Sequence, residues 1–223
     1  MSDSIMKTKE FNISQSFTIE EKRSYLIIKR IIDIFGSIIG IFITSILFII
    51  VCLAIKIEDP KGPVFFSQVR VGKNKKEYKI YKFRSMVFDA EKKLEELLKY
   101  NEVSGAMFKM KDDPRVTKVG KFIRKTSIDE LPQLLNVLKG EMSLVGPRPP
   151  LPREVKEYNN YHLARLAVTP GCTGLWQVTS RNSVGFDEMV ELDLEYINNR
   201  SILLDFKIIF KTILVLFGSK NAF

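Results

Sequence analysis

An uncharged apolar stretch near the beginning of the chain restricts its fold more than any other feature. From Ile34 to Ile55 the sequence runs for 22 residues without a charged side chain. As an α-helix this stretch would be roughly 33 Å long, enough to cross the hydrocarbon core of a bilayer. It lies too far from Met1, and lacks the small-residue cleavage site, to be a removable signal peptide. The sequence therefore predicts a membrane-embedded helix over residues 25–57.

Basic residues flank this stretch on both sides. They are Lys22, Arg23, Lys29 and Arg30 before it, and Lys56, Lys61, Arg70, Lys73, Lys75 and Lys76 after it. Since basic flanks favour the cytoplasmic side, both ends are expected there, as in a re-entrant helix. Such a helix must bend, and the hydroxyls of Thr44 and Ser45 could bond the freed backbone groups. A spanning helix, with Gly36 and Gly40 packed on a second helix, is the alternative.

The rest of the chain predicts a small, mostly helical α+β domain over residues 58–223, preceded by a polar segment at 1–24. Alternating residues at 64–72 and 77–86 predict a β-hairpin. Apolar residues at helical spacing predict amphipathic helices at 88–100 and at about 129–138. The apolar C-terminal segment 201–218 contains Asp205, Lys207 and Lys211. These charges favour a helix that lies in the membrane interface or against the domain over a second span.

Charge and composition limit the class of partner and metal. The chain has 35 Lys and Arg residues against 26 Asp and Glu, a formal charge of +9, which predicts anionic partners. No zinc finger, RNP-like or helix-turn-helix pattern is present in the sequence, so nucleic acid is not expected as the partner. With His162 as the single histidine and two cysteines, the usual zinc ligands are missing. A metal, if bound, is expected to be a hard cation held by oxygens, with Mg²⁺ first.

Residues 126–133, TSIDELPQ, place two carboxylates side by side. Taken alone, Ser127 and Glu130 match a helix-capping box that needs no chemistry. With Ser127 as the N-cap, however, Pro132 would be the fifth helical residue, where its missing N–H costs a hydrogen bond. A later start suits the proline and puts Asp129 at the positive end of the helix dipole, which favours the ionised carboxylate. Asp129 is therefore a candidate nucleophile or metal ligand, with Glu130 sharing the metal or assisting the reaction.

Several cations are placed to complete an anion-binding site with this acidic pair. The candidates are Lys82 on the second hairpin strand, Arg124, Arg148 and Arg181. Each alone would be an ordinary surface charge, but together they could hold a diphosphate, because the planar guanidinium binds phosphate oxygens in pairs. The stretch 146–152, GPRPPLP, also resembles a proline-rich ligand of SH3-type modules. The sequence therefore leaves open a non-enzymatic, membrane-anchored module that recruits partners through this motif.

The motifs taken together resemble the bacterial sugar transferase family, the polyprenol-phosphate phosphoglycosyltransferases with a single membrane-embedded helix. The matching stretches are KRIIDIFGS (29–37), GPVFFSQVRVGKN (62–74), YKIYKFRSM (78–86), DDPRVTKVGKFIRKTSIDELPQLLNVLKGEMSLVGPRPPLP (112–152), PGCTGLWQV (170–178) and ELDLEYI (191–197). They cover nearly all of the chain from about Lys29 onward. Residues 90–110 also resemble an insert of the branch that often uses UDP-glucose or UDP-galactose.

The resemblance implies a definite reaction. A sugar 1-phosphate would pass from a UDP-sugar to a polyprenol phosphate such as undecaprenyl phosphate, with release of UMP and a requirement for Mg²⁺. Asp129 would be the nucleophile that forms a covalent phosphosugar intermediate, and Glu130 would assist, by orienting the metal or activating the acceptor. The residues implied to bind phosphates are Lys82, Arg124, Arg148 and Arg181. An ordinary glycosyltransferase that releases UDP is the alternative within the enzymes.

The resemblance also implies a place in the cell. The protein would lie in the bacterial inner membrane among phospholipids, with its catalytic domain on the cytoplasmic face, at the start of capsule, exopolysaccharide or O-antigen assembly. Family members often break the membrane helix at Ser-Pro, whereas this chain has Ser45-Ile46. A break here would therefore rest on Ser45 and its neighbours. The sequence leaves open whether two copies of the chain form a dimer.

Overall fold

The computed structural model describes residues 23–100, 110, 112–179 and 185–218. The α-helices are α1 (Arg23–Glu58), α2 (Ala90–Leu97), α3 (Lys118–Lys125), α4 (Gln133–Lys139), α5 (Pro152–Lys156), α6 (Asn160–Leu163), α7 (Leu175–Thr179), α8 (Phe186–Asn199) and α9 (Ile202–Gly218). The strands are β1 (Phe65–Val71), β2 (Glu77–Phe83), β3 (Ser143–Val145) and β4 (Gly171–Thr173). Short 3₁₀ turns lie at Lys73–Lys75, Leu98–Tyr100, Ile128–Glu130 and Ala164–Ala167. The predicted fold class is confirmed in its outline, a mostly helical α+β chain with one long apolar helix near its start and small sheets.

The predicted hairpin is present, with slightly shorter strands. β1 and β2 are antiparallel, and Phe65 pairs with Phe83 at the open end. Asn74 and Lys75 turn the chain with φ of 55° and 63°, so the left-handed turn falls on non-glycine residues. A second sheet, which the sequence analysis did not predict, joins β3 and β4 in parallel. Three residues per strand give too little alternation to be seen in the sequence.

The first part of α1 is tied to the domain by polar contacts. Arg30 donates to the carbonyl oxygens of Val137 and Leu138 at 2.6 and 2.7 Å, and so caps the end of α4. Asp33 is buried, and its Oδ1 atom accepts hydrogen bonds from the N–H of Leu144 and from a neighbouring serine, each at 2.9 Å. A buried carboxylate with such partners holds the helix in one position on β3.

The last part of α1 lies on the same domain. Ile55 is buried in a cluster with Phe83 of β2 and Ile123 of α3. At the end of the helix, the carboxylate of Glu58 accepts the main-chain N–H groups of Lys118 and Val119 at 2.7 and 2.9 Å, where α3 begins. A carboxylate is favoured there by the helix dipole. Both ends of α1 therefore contact one globular body.

The opposite face of α1 carries no protein partner among the described residues and is strongly apolar. Its exposed large side chains are Ile27, Ile28, Ile31, Phe35, Ile38, Ile39, Phe42, Ile43, Ile46, Ile49, Ile50, Leu53 and Ile57. By length and composition α1 could cross a membrane. The helix continues through Ser45, whose hydroxyl bonds the carbonyl oxygen of Phe42 at 2.8 Å. The hydroxyl of Thr44 bonds the carbonyl oxygen of Gly40, four residues earlier, at 2.7 Å, a type of contact that often bends helices. The break at Ser45 stays a prediction.

The C-terminal helix α9 has the amphipathic form that the sequence suggested. Its Asp205, however, forms contacts inside the protein. Asp205 is buried rather than solvated, and its carboxylate accepts from Lys29 at 2.8 Å and from Tyr196 at 2.7 Å. It thereby joins α9 to α1 and α8. The exposed side of α9 carries Leu203, Phe206, Phe210, Ile213 and Leu214. The main core lies beneath it, where Val145 of β3 packs with buried residues of α8 and α9.

Candidate active site

The acidic pair lies on a tight turn rather than on an α-helix. Ile128–Glu130 form a single 3₁₀ turn, and α4 starts only at Gln133, after Pro132. Ser127 precedes the turn with φ of 55° and makes no side-chain capping bond, so the capping-box reading is wrong. The predicted placement of Asp129 at the positive end of an α-helix is also wrong, since one 3₁₀ turn contributes little dipole. Pro132 instead precedes α4 as its N-cap residue.

A lysine from the hairpin meets this turn. Nζ of Lys82, on β2, lies 2.6 Å from Oε1 of Glu130 and 4.0 Å from Oδ2 of Asp129. Glu130 is 48 residues from the lysine in sequence, and Asp129 is its neighbour on the same turn. The structure thus brings together three of the residues predicted for the site. The ammonium forms a direct hydrogen-bonded ion pair with Glu130, while Asp129 receives mainly its field.

Burial sets the ionisation of Asp129. Its side chain is 11% exposed, and loss of water raises the pKa of this carboxyl to about 6. The charge of Lys82 works in the opposite direction, Glu130 raises the pKa further, and Arg124 lowers it. Asp129 is therefore ionised at neutral pH, but its carboxylate has little contact with water. A carboxylate in this state is a better nucleophile than one held tightly by cations or water.

Glu130 is held in its charged form. Burial raises the pKa of this carboxyl, but Lys82 and Arg148 outweigh that effect and bring the pKa below its usual value. The two carboxyl groups thus differ in environment although they are adjacent in sequence. Such a separation of pKa values is typical of paired groups with different roles.

A narrow polar cleft of about 20 Å³ opens beside Glu130. Its lining combines residues of the hairpin, of the turn Ile128–Glu130 (the dyad turn), of the 146–150 segment, of β4, of α4 and of α7. They are Arg70, Ile80, Lys82, Glu130, Gln133, Arg148, Pro149, Gly171, Cys172 and Gln177. The lining includes three cations and one carboxylate, so its charge suits a phosphate group. Arg148 lines this cleft together with Lys82, and its role in phosphate binding stays a prediction. Its volume fits about one water molecule, so a larger anion must widen it or bind at its mouth.

Arg70 is a cleft residue that the sequence analysis did not assign to the site. It is only 8% exposed, and its guanidinium donates to the carbonyl oxygen of Pro149 at 3.0 Å and to Gln68 at 2.9 Å. Burial and the charge of Arg148 lower the pKa of Arg70 to about 10. Its sequence position gave no sign of this role, because Arg70 is one of several basic residues in and around the hairpin. A buried arginine facing a second arginine favours an anion between them.

The segment that carries Arg148 is fixed from below by a buried ion pair. Arg165 and Asp193 are each about 1% exposed and form a direct hydrogen-bonded ion pair. Arg165 also donates to the carbonyl oxygen of Arg148 at 3.3 Å. Pro149 and Pro150 are also buried, and their carbonyl oxygens accept hydrogen bonds from Arg70 and from the main-chain N–H of Val71, each at 3.0 Å. The prolines are therefore not presented as an exposed ligand for an SH3-type module.

Arg124 and Arg181 are the two remaining arginines predicted to bind phosphate. Arg124 lies at the end of α3, and its charge lowers the pKa of Asp129, which places it near the dyad. Arg181 lies outside the described residues. Both assignments to phosphate binding stay predictions.

The residues present would suit Mg²⁺ only together with a substrate. Within residues 23–100, 110, 112–179 and 185–218, no group of three or more histidine, cysteine and acidic side chains is arranged to hold a metal. Asp129 and Glu130 are two adjacent carboxylates, and Mg²⁺ in phosphoryl-transfer sites often takes one or two carboxylates with substrate phosphates and water as further ligands. The dyad fits that limited requirement.

Comparison with known proteins identifies close relatives over most of the chain. The family model described as bacterial sugar transferase matches residues 24–219. The chain is 54% identical over 200 residues to the galactosyl transferase CpsE of Streptococcus agalactiae, with 89% of this chain and 44% of that protein covered. It is 45% identical over 206 residues to the undecaprenyl-phosphate galactose phosphotransferase of Salmonella typhimurium, covering 91% and 43% of the two chains.

A shorter relative matches from end to end. The exopolysaccharide production protein ExoY of Rhizobium meliloti is 37% identical over 227 residues, with 98% of this chain and 100% of that protein covered. By contrast, the chain spans less than half the length of the two more similar relatives. The shared part includes the hairpin, the dyad turn and the cleft.

Proposed function

The chain belongs to the bacterial sugar transferase family, and we propose that it transfers a sugar 1-phosphate from a UDP-sugar to undecaprenyl phosphate and releases UMP. The observation that carries this proposal is the buried Asp129 beside the Lys82–Glu130 ion pair. Lys82 and Glu130 also line a cationic cleft with Arg70 and Arg148. The printed names of two relatives, a galactosyl transferase and an undecaprenyl-phosphate galactose phosphotransferase, support galactose as the first sugar to test.

The first chemical step uses Asp129 as the nucleophile. An Oδ atom of the ionised carboxylate attacks the β-phosphorus of the UDP-sugar, and the bond from that phosphorus to the bridging oxygen of the α-phosphate breaks. UMP leaves with the bond's electron pair, and the sugar phosphate stays on Asp129 as an acyl phosphate. Lys82 and Arg148 stabilise the negative charge that develops on the phosphoryl oxygens and the leaving group.

The second step breaks the covalent bond between Asp129 and the sugar phosphate. A phosphate oxygen of undecaprenyl phosphate attacks the same phosphorus, the bond to Asp129 breaks, and the carboxylate is restored. Glu130, held ionised by Lys82, orients that ammonium and assists the acceptor. Mg²⁺, when bound with the substrate by Asp129 and Glu130, would neutralise phosphate charge.

We further propose that the protein enters the membrane from one face only. The contacts of Arg30 and Asp33 near one end of α1, and of Glu58 at the other, all go to the same domain. A straight spanning helix would carry one of these ends, with charged groups, across the hydrocarbon core. The exposed faces of α1 and α9 would contact lipid. The organisation is then a polar segment at 1–24, a membrane helix over 25–57, and a catalytic domain over 58–223 on the cytoplasmic face of the bacterial inner membrane.

The reaction would begin the assembly of a capsule or exopolysaccharide. An exopolysaccharide production protein is among the relatives and has the same length as the matched region. The first membrane-linked sugar is what such pathways need before further sugars are added.

The proposal is tested by the nucleotide product. Detergent-solubilised protein is incubated with UDP-galactose, undecaprenyl phosphate and Mg²⁺, with UDP-glucose and UDP-N-acetylgalactosamine as competing donors. Release of UMP and a radiolabelled sugar phosphate on the wild-type chain, both lost in Asp129→Asn, are expected. Release of UDP would indicate an ordinary glycosyltransferase. Full turnover by Asp129→Asn would overturn the covalent mechanism, and no nucleotide release from any donor would favour a non-enzymatic module.

A further inference from the structure

A buried asparagine connects the two elements that carry the catalytic groups. Asn136 lies in α4, the α-helix that follows the turn of Asp129 and Glu130. Its side chain is completely buried. Its Oδ1 atom accepts the main-chain N–H of Tyr81 at 3.1 Å, and its Nδ2 atom donates to the carbonyl oxygen of Lys79 at 2.7 Å. Both partners belong to β2, the strand of Lys82.

The asparagine takes the place of a third strand. Within the part of the chain that the structure describes, β1 and β2 are the two strands of the first sheet, so β2 has an edge without a partner strand whose main-chain groups need partners. The Tyr81 N–H and the Lys79 C=O lie two residues apart on one edge, which is the spacing that a neighbouring strand would satisfy. One primary amide bonds both. It fixes the main chain of β2 at the residue directly before Lys82.

A third bond fixes the orientation of the amide. Nδ2 also donates to Oε2 of Glu141 at 2.7 Å, just beyond the end of α4. With two acceptors on one side and one N–H donor on the other, only this orientation of Asn136 satisfies all three groups. Glu141 therefore fixes the orientation of the amide, because rotation of the amide would leave a buried polar group unsatisfied.

We propose that Asn136 is a positioning residue that sets where the Lys82 ammonium lies between the two carboxylates. The inference rests on the proposed function for its catalytic consequence. The distances of 2.6 Å to Glu130 and 4.0 Å to Asp129 depend on where β2 stands against the dyad turn. A shift of the strand by about 1 Å would alter both distances, and misplacement of this size is costly to phosphoryl transfer. Asn136 itself touches none of the reacting atoms.

The most informative variant is Asn136→Asp, because it keeps the shape of the side chain. The aspartate can still accept from Tyr81, but it has no donor for Lys79 and faces the carboxylate of Glu141. The matched control is Lys139→Ala. Nζ of Lys139 lies 2.8 Å from the hydroxyl of Tyr81, so this side chain also joins α4 to β2, but at an exposed position.

The first readout does not require activity. Thermal unfolding is measured for Lys82→Met, Glu130→Gln and the double variant, once in the wild-type background and once with Asn136→Asp. In the wild-type background the two changes are expected to be non-additive in melting temperature, as for residues in direct contact. With Asn136→Asp the changes are expected to become additive. Retained coupling in that background would overturn the proposal, whatever the enzyme does.

The second readout is the steady-state kinetics of UMP release at one fixed pH. Asn136→Asp is expected to lower kcat about 10- to 100-fold with little change in the KM for UDP-galactose, because Lys82 is misplaced against the two carboxylates while the rest of the donor site is intact. Lys139→Ala should leave both kcat and KM unchanged. An unchanged kcat in Asn136→Asp, with active wild type, would reject the positioning role. An inactive wild type would reject the proposed function and leave the unfolding cycle to decide the role of Asn136.

Discussion

The Nζ atom of Lys82 is 1.4 Å closer to the carboxylate of Glu130 than to that of its neighbour Asp129, 2.6 Å against 4.0 Å. One cation thus serves two adjacent carboxylates unequally. It neutralises Glu130 by direct contact and acts on Asp129 through its field. The arrangement leaves Asp129 ionised near neutral pH without tying its lone pairs into a strong ion pair.

Removing the charge of Lys82 should impair the reaction and change its pH dependence. In Lys82→Met the pKa of Asp129 rises, because the cation that lowers it is gone. The acidic limb of kcat/KM for UMP release should move to higher pH, and kcat/KM at neutral pH should fall by about 10²-fold or more. Lys79→Met is the control, since Lys79 is on the same strand but exposed. Equal effects of the two changes would contradict this role.

The stability of the protein should depend on pH through Asp129. Its pKa is raised from 3.8 to about 6 on folding, so the native state binds more protons than the unfolded chain between these values. Unfolding free energy should therefore fall as pH rises from about 4 to 6.

Asp129→Asn removes this penalty along with the nucleophile. The variant should be more stable than the wild type above pH 6, by about 1–3 kcal/mol, and no more stable near pH 3. Thermal or urea unfolding at pH 3, 5 and 8 measures the difference. A gain that is the same at all three pH values would show that it does not come from ionisation.

Breaking the buried pair beneath the 146–150 segment should destabilise the protein. Arg165→Met leaves Asp193 buried without its cation, and such a change costs about 3–5 kcal/mol. The double variant Arg165→Met/Asp193→Leu should recover much of the lost stability, because no charge is then buried. Urea unfolding of the three forms gives the comparison. If Arg165→Met alone were neutral, the pair would not be the support for Arg148 that the contacts indicate.

The topology of α1 can be tested by labelling. With Cys52 and Cys172 replaced by serine, single cysteines are placed near residues 20 and 60 in cells that express the protein. Both positions should be shielded from a membrane-impermeant maleimide in intact cells and become reactive after the membrane is opened. Reaction of one position in intact cells would support a spanning helix. An engineered cysteine at an exposed loop residue of the domain provides the cytoplasmic reference.

Much of the candidate site could be predicted from sequence because its residues lie in contiguous motifs. Asp129 and Glu130 are adjacent, and the strand of Lys82 was located by alternation. Arg70 and Asn136 were missed. Both look ordinary in sequence, and their roles depend on burial and on main-chain partners 55 to 79 residues away.

Two local interpretations failed for related reasons. The capping box assumed an α-helix capped by Ser127, and the dipole argument assumed one that begins near Asp129, but the chain makes one 3₁₀ turn there and starts α4 at Gln133. Local patterns do not reveal that Glu130 is paired with a lysine from the hairpin. Nor does the local pattern of the C-terminal segment reveal that Asp205 is buried and accepts a hydrogen bond from Lys29.

The sequence by itself determined that this chain has a long apolar helix, a basic domain and an adjacent pair of carboxylates, because hydrophobic length, net charge and residue order are properties of the linear chain. Only the tertiary structure decided what those groups do to one another. Ionisation, positioning and exposure depend on distances and on the removal of water. For Asp129 these are set by a lysine 47 positions earlier in the chain and by the packing that buries its side chain.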